Sequence, residues 1–415
     1  MRIKYSKDIL FFFILYASLV YGFFWNENLN FGSYYDWMAA YVPVIKDFSI
    51  NFKQTILSYE KYGQRHSPVY LIFLSFFLKL GLSLEFVRIV HLHLCLSLIF
   101  IFYKCLKINF QDIDKKYLKL LSFVIFLSPS FRSLAIWPDS RLPGLIFFVL
   151  SIYFFLKFRK NNNANYAWRC SLALIVSSYI SPNFSLFSLY FYFYFLKKIE
   201  IKQFLLLIIF NIFASIPVLY YLFYLKINFL ISGRTPGIDS SVAFSFNFSD
   251  KILIISSIFL FHLLPILIVL KKFYKNYFNY LKKNYLLIFM FLLFLIYFFN
   301  YKIYFTGGGI FFQLSQILLG NNYLFFVISL FAITLIFYLS KYSANNFFLI
   351  VLLIISNIQN SIYHKYYEPM ILVIFFTLFK YYDLKFFFNN KNNIVILYIF
   401  SFGHIFLRII KNTFF

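Results

Sequence analysis

The sequence predicts an all-α polytopic membrane protein, with roughly 11–13 transmembrane helices and a large first outer loop carrying juxtamembrane helices. Three observations carry that prediction. Apolar residues make up 62% of the chain and charged residues only 13%, about half the charge of an ordinary globular domain. Apolar runs of bilayer-spanning length recur from one end to the other, so a single polytopic domain over residues 1–415 is expected, without a soluble appendage. Those runs lack the alternation of barrel strands, and backbone groups in lipid must be satisfied within their own segment, which leaves helices.

The formal charge of +25 does not point to nucleic acid. Lys and Arg sit in short clusters between apolar runs, as helix flanks do, and not on one face or in one tail. Cys95, Cys105 and Cys170 lie in or beside apolar runs without metal spacing or a CxxC pair, so three free thiols are expected.

Taken in order, Arg2, Lys4 and Lys7 precede the apolar run Ile9 to Trp25. No small-residue cleavage site follows, so this run reads as an uncleaved first helix with a cytoplasmic N-terminus, which puts the loop from Asn26 outside. The segment Ser67 to Leu84 decides everything after it. Its length would just cross a bilayer, so charge must arbitrate. If it lies along the outer surface, 24 of the 39 Lys and Arg residues fall on the cytoplasmic side; if it crosses, only 14 of the 39 do. The first arrangement is preferred, with spans near 9–25, 86–103, 118–136, 143–158, 167–181, 184–196, 203–225, 251–270, 285–300, 321–340, 347–358, 367–381 and 394–410. Ser181-Pro182-Asn183 reads as a turn between two short helices.

This topology gathers the unusual residues on the outer face. The segment Asn26 to Tyr70 holds Glu27, Asp36, Asp47 and Glu60, four of the fourteen carboxylates, and closes on Arg65, His66 and Pro68. Also outside fall Asp139, the loop 226–250 with Arg234 and Asp239, the loop 300–320 with the run Gly307-Gly308-Gly309, and the stretch Tyr363 to Pro369. The cytoplasmic loops are short, basic and plain, so an outward-facing site is expected.

The residues Tyr35-Asp36-Trp37-Met38-Ala39-Ala40, then Arg65-His66-Ser67-Pro68-Val69-Tyr70, then Gly81 and Phe86-Val87-Arg88-Ile89, form a pattern. So does Leu127-Ser128-Pro129 ahead of Trp137-Pro138-Asp139-Ser140-Arg141. On these the chain resembles the GT-C superfamily of membrane glycosyltransferases that take sugars from polyprenyl-phosphate carriers. The resemblance covers about residues 1–160 and, beyond them, only the general layout. It departs where Ser67 stands in place of a proline and where no Asp-x-Asp or Glu-Asp pair occupies the outer loop. The one Asp-x-Asp, Asp112-Ile113-Asp114, is expected to be cytoplasmic.

The resemblance implies a transferase whose partners are a polyprenyl-phosphate-linked sugar, a glycan or lipid acceptor and membrane lipid, in the plasma membrane. It implies no organic cofactor and leaves a divalent metal open. Transfer of a sugar from a lipid phosphate needs a carboxylate to accept the acceptor's proton and cations to stabilise the departing phosphate. Asp36 is the candidate base. Asp47, Arg65, His66, Asp139, Arg141, Arg234, His364 and Lys365 are the candidate substrate-binding residues. Each has a plainer reading: Asp36 as a helix cap, Asp139 as a turn residue beside Pro138, Arg234 as a solvated turn arginine, His364 and Lys365 as interface anchors among tyrosines. Asp36 and Asp47, eleven apart, would share a face on an unbroken helix, but Pro43 is expected to break it. His91, His93, His262 and His404 read as neutral packed histidines. The glycine run fits either a close approach to a ligand or a flexible turn. Two further classes stay open: a lipid-linked sugar flippase or transporter, and an O-antigen-type polymerase or ligase that would depend on arginines in outer loops.

Overall fold

The computed structural model describes residues 7–30, 32–64, 66–226, 247–302, 307–381 and 384–414, and among them the backbone is helical, with no β-strand. Among the described residues 8 helices are long and apolar enough to cross a membrane, or up to 9 if one bent pair counts as a single span. The chain divides into two compact units, Met1–Phe229 with Ser401–Phe415, and Leu230–Phe400.

The first unit starts with α1 (Lys7–Phe24), which buries Leu15, Leu19, Gly22 and Phe23 and leaves Ile9, Leu10, Phe13 and Ile14 exposed. Water would penalise each such side chain by about 1.5–3 kcal/mol relative to an apolar surround, so this face is built for lipid. The helix stops at Asn26, which takes the left-handed conformation at φ 53°. There the Glu27 N–H reaches the Gly22 carbonyl at 2.8 Å and the Asn26 N–H the Phe23 carbonyl at 3.1 Å, the paired bonds of a Schellman ending.

The first loop then folds into α2 (Gly32–Tyr35), a π turn (Asp36–Tyr41), α3 (Val42–Ile50), α4 (Phe52–Leu57), a 3₁₀ turn (Tyr59–Tyr62) and α5 (Val69–Lys79). Pro43 does not break the helix. It sits in the first turn of α3, and the i→i−5 bond from the Val42 N–H to the Trp37 carbonyl widens the turn ahead of it. The path from Gly32 to Ile50 therefore stays helical, with Asp36 at the start of the π turn and Asp47 beyond it on α3. At 11 residues α5 is about 16 Å long, far short of a hydrocarbon core of about 30 Å. It packs on α3 and is too short to cross as a single helix.

Two helices later comes the bend. α6 (Leu84–Asn109) is N-capped by Ser83, whose Oγ accepts the Phe86 N–H at 3.2 Å. α7 (Lys115–Phe123) and the 3₁₀ turn Val124–Leu127 meet α8 (Pro129–Ile136) at 65°. Ser128 caps α8 by accepting the Phe131 N–H at 3.0 Å, and Pro129 supplies the first-turn position that needs no donor. Every residue of α8 is buried, so it is a short helix held inside protein. α9 (Arg141–Asn161) and α10 (Ala164–Ile180) pair closely, followed by α11 (Ser188–Leu196) and α12 (Ile201–Leu219). On α12, Asn211 is satisfied within the unit, its amide donating to Ser171 Oγ at 2.9 Å and to the Leu207 carbonyl at 2.7 Å.

The second unit holds α13 (Phe248–Val269), α14 (Lys271–Tyr297), α15 (Gly309–Leu319), α16 (Tyr323–Tyr342), α17 (Ala344–Ile355), α18 (Met370–Thr377) and α19 (Leu384–Phe387). α20 (Lys391–Phe414) begins in this unit and joins the first from Ser401 onward. The glycine run packs against the protein's own α13, which is neither of the two expected readings. Gly308 and Gly309 have φ of 95° and 76°, and a Cβ on Gly309 would lie 2.9 Å from Ile258 Cγ1 on α13.

The expected spans at 167–181, 184–196, 347–358 and 367–381 coincide with α10, α11, α17 and α18, which have 17, 9, 12 and 8 residues. Those helices account for the difference between the larger expected count and the 8 or 9 spans of membrane length.

Candidate functional site

The connection between α8 and α9 is a buried crossing point for the first loop. Trp137, Asp139 and Ser140 are 3%, 4% and 2% exposed. A buried carboxylate needs compensation, and Asp139 obtains part of it by accepting the Arg141 N–H at 2.8 Å, at the positive end of the 21-residue α9. Tyr41, at the close of the π turn, lies against the same connection. Its hydroxyl accepts the Ser140 N–H at 3.2 Å and shares a hydrogen bond with Ser140 Oγ at 3.1 Å. Burial, and after it the charge of Asp139, pushes the Tyr41 phenol far above its usual range, so Tyr41 stays a neutral donor and acceptor.

Tyr70, on α5, is buried in the same way, and its phenol is pushed up mainly by burial, with further contributions from Cys95, Tyr41 and Asp139. It hydrogen-bonds His91 Nδ1, while His91 Nε2 donates to the Leu134 carbonyl at 2.7 Å. A carbonyl can only accept, so the proton sits on Nε2 and Nδ1 accepts from Tyr70. His91 is thus the packed histidine expected from the sequence, and it joins α5 to α6 and α8.

Two arginines complete the frame. Arg88 stacks at 3.8 Å from the Trp137 ring and 4.6 Å from that of Phe23, and donates to the Ile136 carbonyl at 3.2 Å and to Asn26 Oδ1 at 3.0 Å. Arg132 on α8 binds Glu27 through two bonds of 2.6 Å and also donates to Ser18 Oγ and the Ser18 carbonyl, each at 2.9 Å. Gly22 makes room for this pair, since a Cβ there would lie 2.5 Å from Glu27 Oε2 and 2.9 Å from the Arg132 guanidinium. The Trp137 indole donates to the Glu27 carbonyl at 3.0 Å.

Asp36 opens the π turn, partly exposed, on a segment anchored by buried Trp37 and Tyr41. Tyr34 meets the edge of Trp137 at 4.8 Å between ring centres. Of the side chains flanking Asp36, Tyr35 and Met38 point outward, 70% and 44% exposed. Asp47 is held within its own loop by the Tyr62 hydroxyl and by Lys61 at 3.9 Å. The His66 carbonyl accepts from Tyr59 at 3.2 Å, and its ring is half-buried. Arg141 starts α9 beside Asp139. Arg65 and Arg234 lie outside the described residues, as does Asp239.

The structure therefore brings together Tyr41 of the Asp36 segment, Tyr70, Arg88 and the Trp137–Arg141 connection, four pieces far apart in sequence. Sequence reasoning overlooked Arg132. The usable signal was an arginine inside the apolar run 118–136, which demands an acidic or carbonyl partner.

In the second unit, His364 and Lys365 part company. The Lys365 ammonium lies over the Tyr363 ring at 5.9 Å, partly exposed, whereas His364 is only 4% exposed. The His364 ring is 4.7 Å from that of His262 on α13, and its Nε2 is 3.8 Å from Glu368 Oε2.

Compared with known proteins, the chain matches no family model, no curated protein and no solved structure. What its fold defines is the class, an all-helical polytopic membrane protein.

Proposed function

We propose that this protein is a GT-C-like glycosyltransferase that moves a sugar from a polyprenyl-phosphate carrier to an acceptor hydroxyl at the outer face of the plasma membrane. The observation that supports the reading best is convergence. Segments that carry the resemblance, through Tyr70, Arg88 and Asp139, and Tyr41 directly after the Tyr35–Ala40 segment, meet at the α8–α9 connection although up to 99 residues separate hydrogen-bonded partners such as Tyr41 and Ser140. Segments that merely filled separate helices would have no cause to meet there.

In this reading Asp36 is the base, because it is partly exposed on a segment fixed by Trp37 and Tyr41. Its carboxylate takes the proton from the acceptor hydroxyl as that oxygen bonds to the anomeric carbon. The bond from that carbon to the carrier phosphate breaks, and the polyprenyl phosphate leaves with the electron pair. Arg65, His66 and Arg141 are proposed to hold the phosphate, since a lipid phosphate at a membrane surface needs several charged donors and no single loop supplies them. Ser140 fastens Tyr41, at the close of the π turn that Asp36 opens, to the connection where Asp139 accepts the Arg141 N–H, and Asp47 steadies the loop through Tyr62 and Lys61.

The test is mass spectrometry of lipid-linked sugars and surface glycans in cells carrying the wild-type chain or Asp36→Asn. Loss of the base should lower transfer by about a hundredfold to ten-thousandfold, with polyprenyl-phosphate monosaccharide accumulating beside a glycan short of one residue. A wild-type rate in Asp36→Asn would end the assignment of Asp36, and unchanged glycans and carriers without the gene would end the transferase reading.

A further inference from the structure

We infer that His262, His364 and Glu368 form a binding site for a divalent transition-metal ion of the zinc class within the second unit. One ligand atom from each lies within 4.8 Å of the others, and His364 Nε2 to Glu368 Oε2 spans 3.8 Å. Zinc with ligands at about 2.0–2.2 Å in tetrahedral geometry sets ligand atoms about 3.4 Å apart, so side-chain rotations of an ångström or so close the site.

The three residues come from two elements that are themselves fixed. His262 sits on α13, most of whose residues are buried inside the protein. His364 and Glu368 flank a 3₁₀ turn, where the Tyr367 and Glu368 N–H groups both bond the His364 carbonyl, at 3.0 and 3.2 Å. This four-residue spacing puts both side chains on one face, as paired ligands on a helical turn require. The segment ahead of the turn is tied down by three bonds. The Ile362 N–H donates to the Tyr301 hydroxyl at 3.1 Å, Gly308 N–H donates to the Ile362 carbonyl at 2.9 Å, and the Asn357 amide donates to the Ser361 carbonyl at 3.1 Å. Non-helical backbone buried in a membrane protein is tolerated where it is enclosed by protein, and there it commonly serves a site.

The donor set chooses the ion. Two imidazole nitrogens and one carboxylate oxygen suit zinc and its first-row neighbours, whereas magnesium and calcium prefer all-oxygen shells. His364 and Glu368 are 4% and 5% exposed, and a carboxylate so buried carries a desolvation cost that a divalent ion on all three residues offsets. Three protein ligands leave one position open to water or to an oxygen of a bound molecule. Sequence reading separated these residues, since His262 read as packing and His364 as a phosphate contact. The inference does not rest on the glycosyl-transfer reading.

The test uses the full-length chain in detergent, stripped with chelator, loaded with Zn²⁺, freed of excess and assayed for metal by mass spectrometry. Wild type should retain about one ion per chain, and His262→Gln, His364→Gln and Glu368→Gln should each weaken retention by at least about tenfold. Less than a tenth of an ion on wild type, or unchanged retention in the variants, overturns the site and leaves a buried histidine–carboxylate pair. If a variant fails to fold, X-ray absorption of the Zn²⁺-loaded wild type decides. Two imidazole ligands support the site, and fewer than two overturn it.

Discussion

Glu27, three residues past the end of α1, holds Arg132 of α8 through two hydrogen bonds of 2.6 Å, with the arginine side chain 7% exposed. The pair joins the entry of the first loop to a helix buried over its whole length, so it sets where that loop begins relative to the α8–α9 connection. Removing one partner leaves an uncompensated buried charge. Glu27→Gln should cost about 3–5 kcal/mol of stability, and Arg132→Lys should rescue little because a single ammonium cannot reproduce the fork. The three cysteines are buried, so a thiol-reactive dye reports unfolding directly in a thermal melt. A Glu27→Gln melting curve superimposed on wild type would refute the structural role.

Tyr41 is the next point of attachment. Tyr41→Phe leaves the Ser140 N–H and hydroxyl without their partner and should cost about 1–3 kcal/mol in the same melt. Tyr35→Phe, at a side chain 70% exposed, should stay within about 0.5 kcal/mol of wild type. Equal shifts from the two changes would show that the Tyr41 hydroxyl does not fasten the π turn.

Gly309 carries a prediction for the second unit. Alanine there meets a φ of 76° and an approach of 2.9 Å to Ile258, so Gly309→Ala should destabilise by about 1–3 kcal/mol. Gly403, with open space around it, is the control at which alanine should cause no loss. Comparable melting points for Gly309→Ala and wild type would mean that the α13–α15 contact is loose.

Topology gives a prediction about sidedness. The Asn412 amide donates to the Asn28 carbonyl at 2.9 Å, so the ends of α1 and α20 lie at one side of the first unit. With α5 too short to cross, the distribution of positive charge predicts that this side is the exterior. Single cysteines in a cysteine-free background at the exposed positions Lys53 and Lys115 should therefore label from outside and from inside, respectively. External labelling of position 115 without position 53 would invert the chain.

The sequence alone determined the class and the positions of the long helices, because the hydropathy of a bilayer-length run is a local property that needs no partner. It also singled out the four segments that meet at the α8–α9 connection, and the packed role of His91. The length of α5 and the π turn before Pro43 were beyond it, because both depend on how a few backbone bonds are shared within a packed loop. The tertiary structure decided the pairings. Glu27 meets Arg132 across 105 residues, and Tyr41 meets Ser140 across 99, distances over which no periodicity carries information. His262 and His364 stand more than a hundred positions apart in unlike surroundings, one on an apolar helix and one among tyrosines, and only the packing of the 357–369 segment against α13 sets their rings 4.7 Å apart. A buried charge or imidazole must find its partner wherever the chain provides one, and that choice is settled by the desolvation cost in three dimensions rather than by neighbours along the chain.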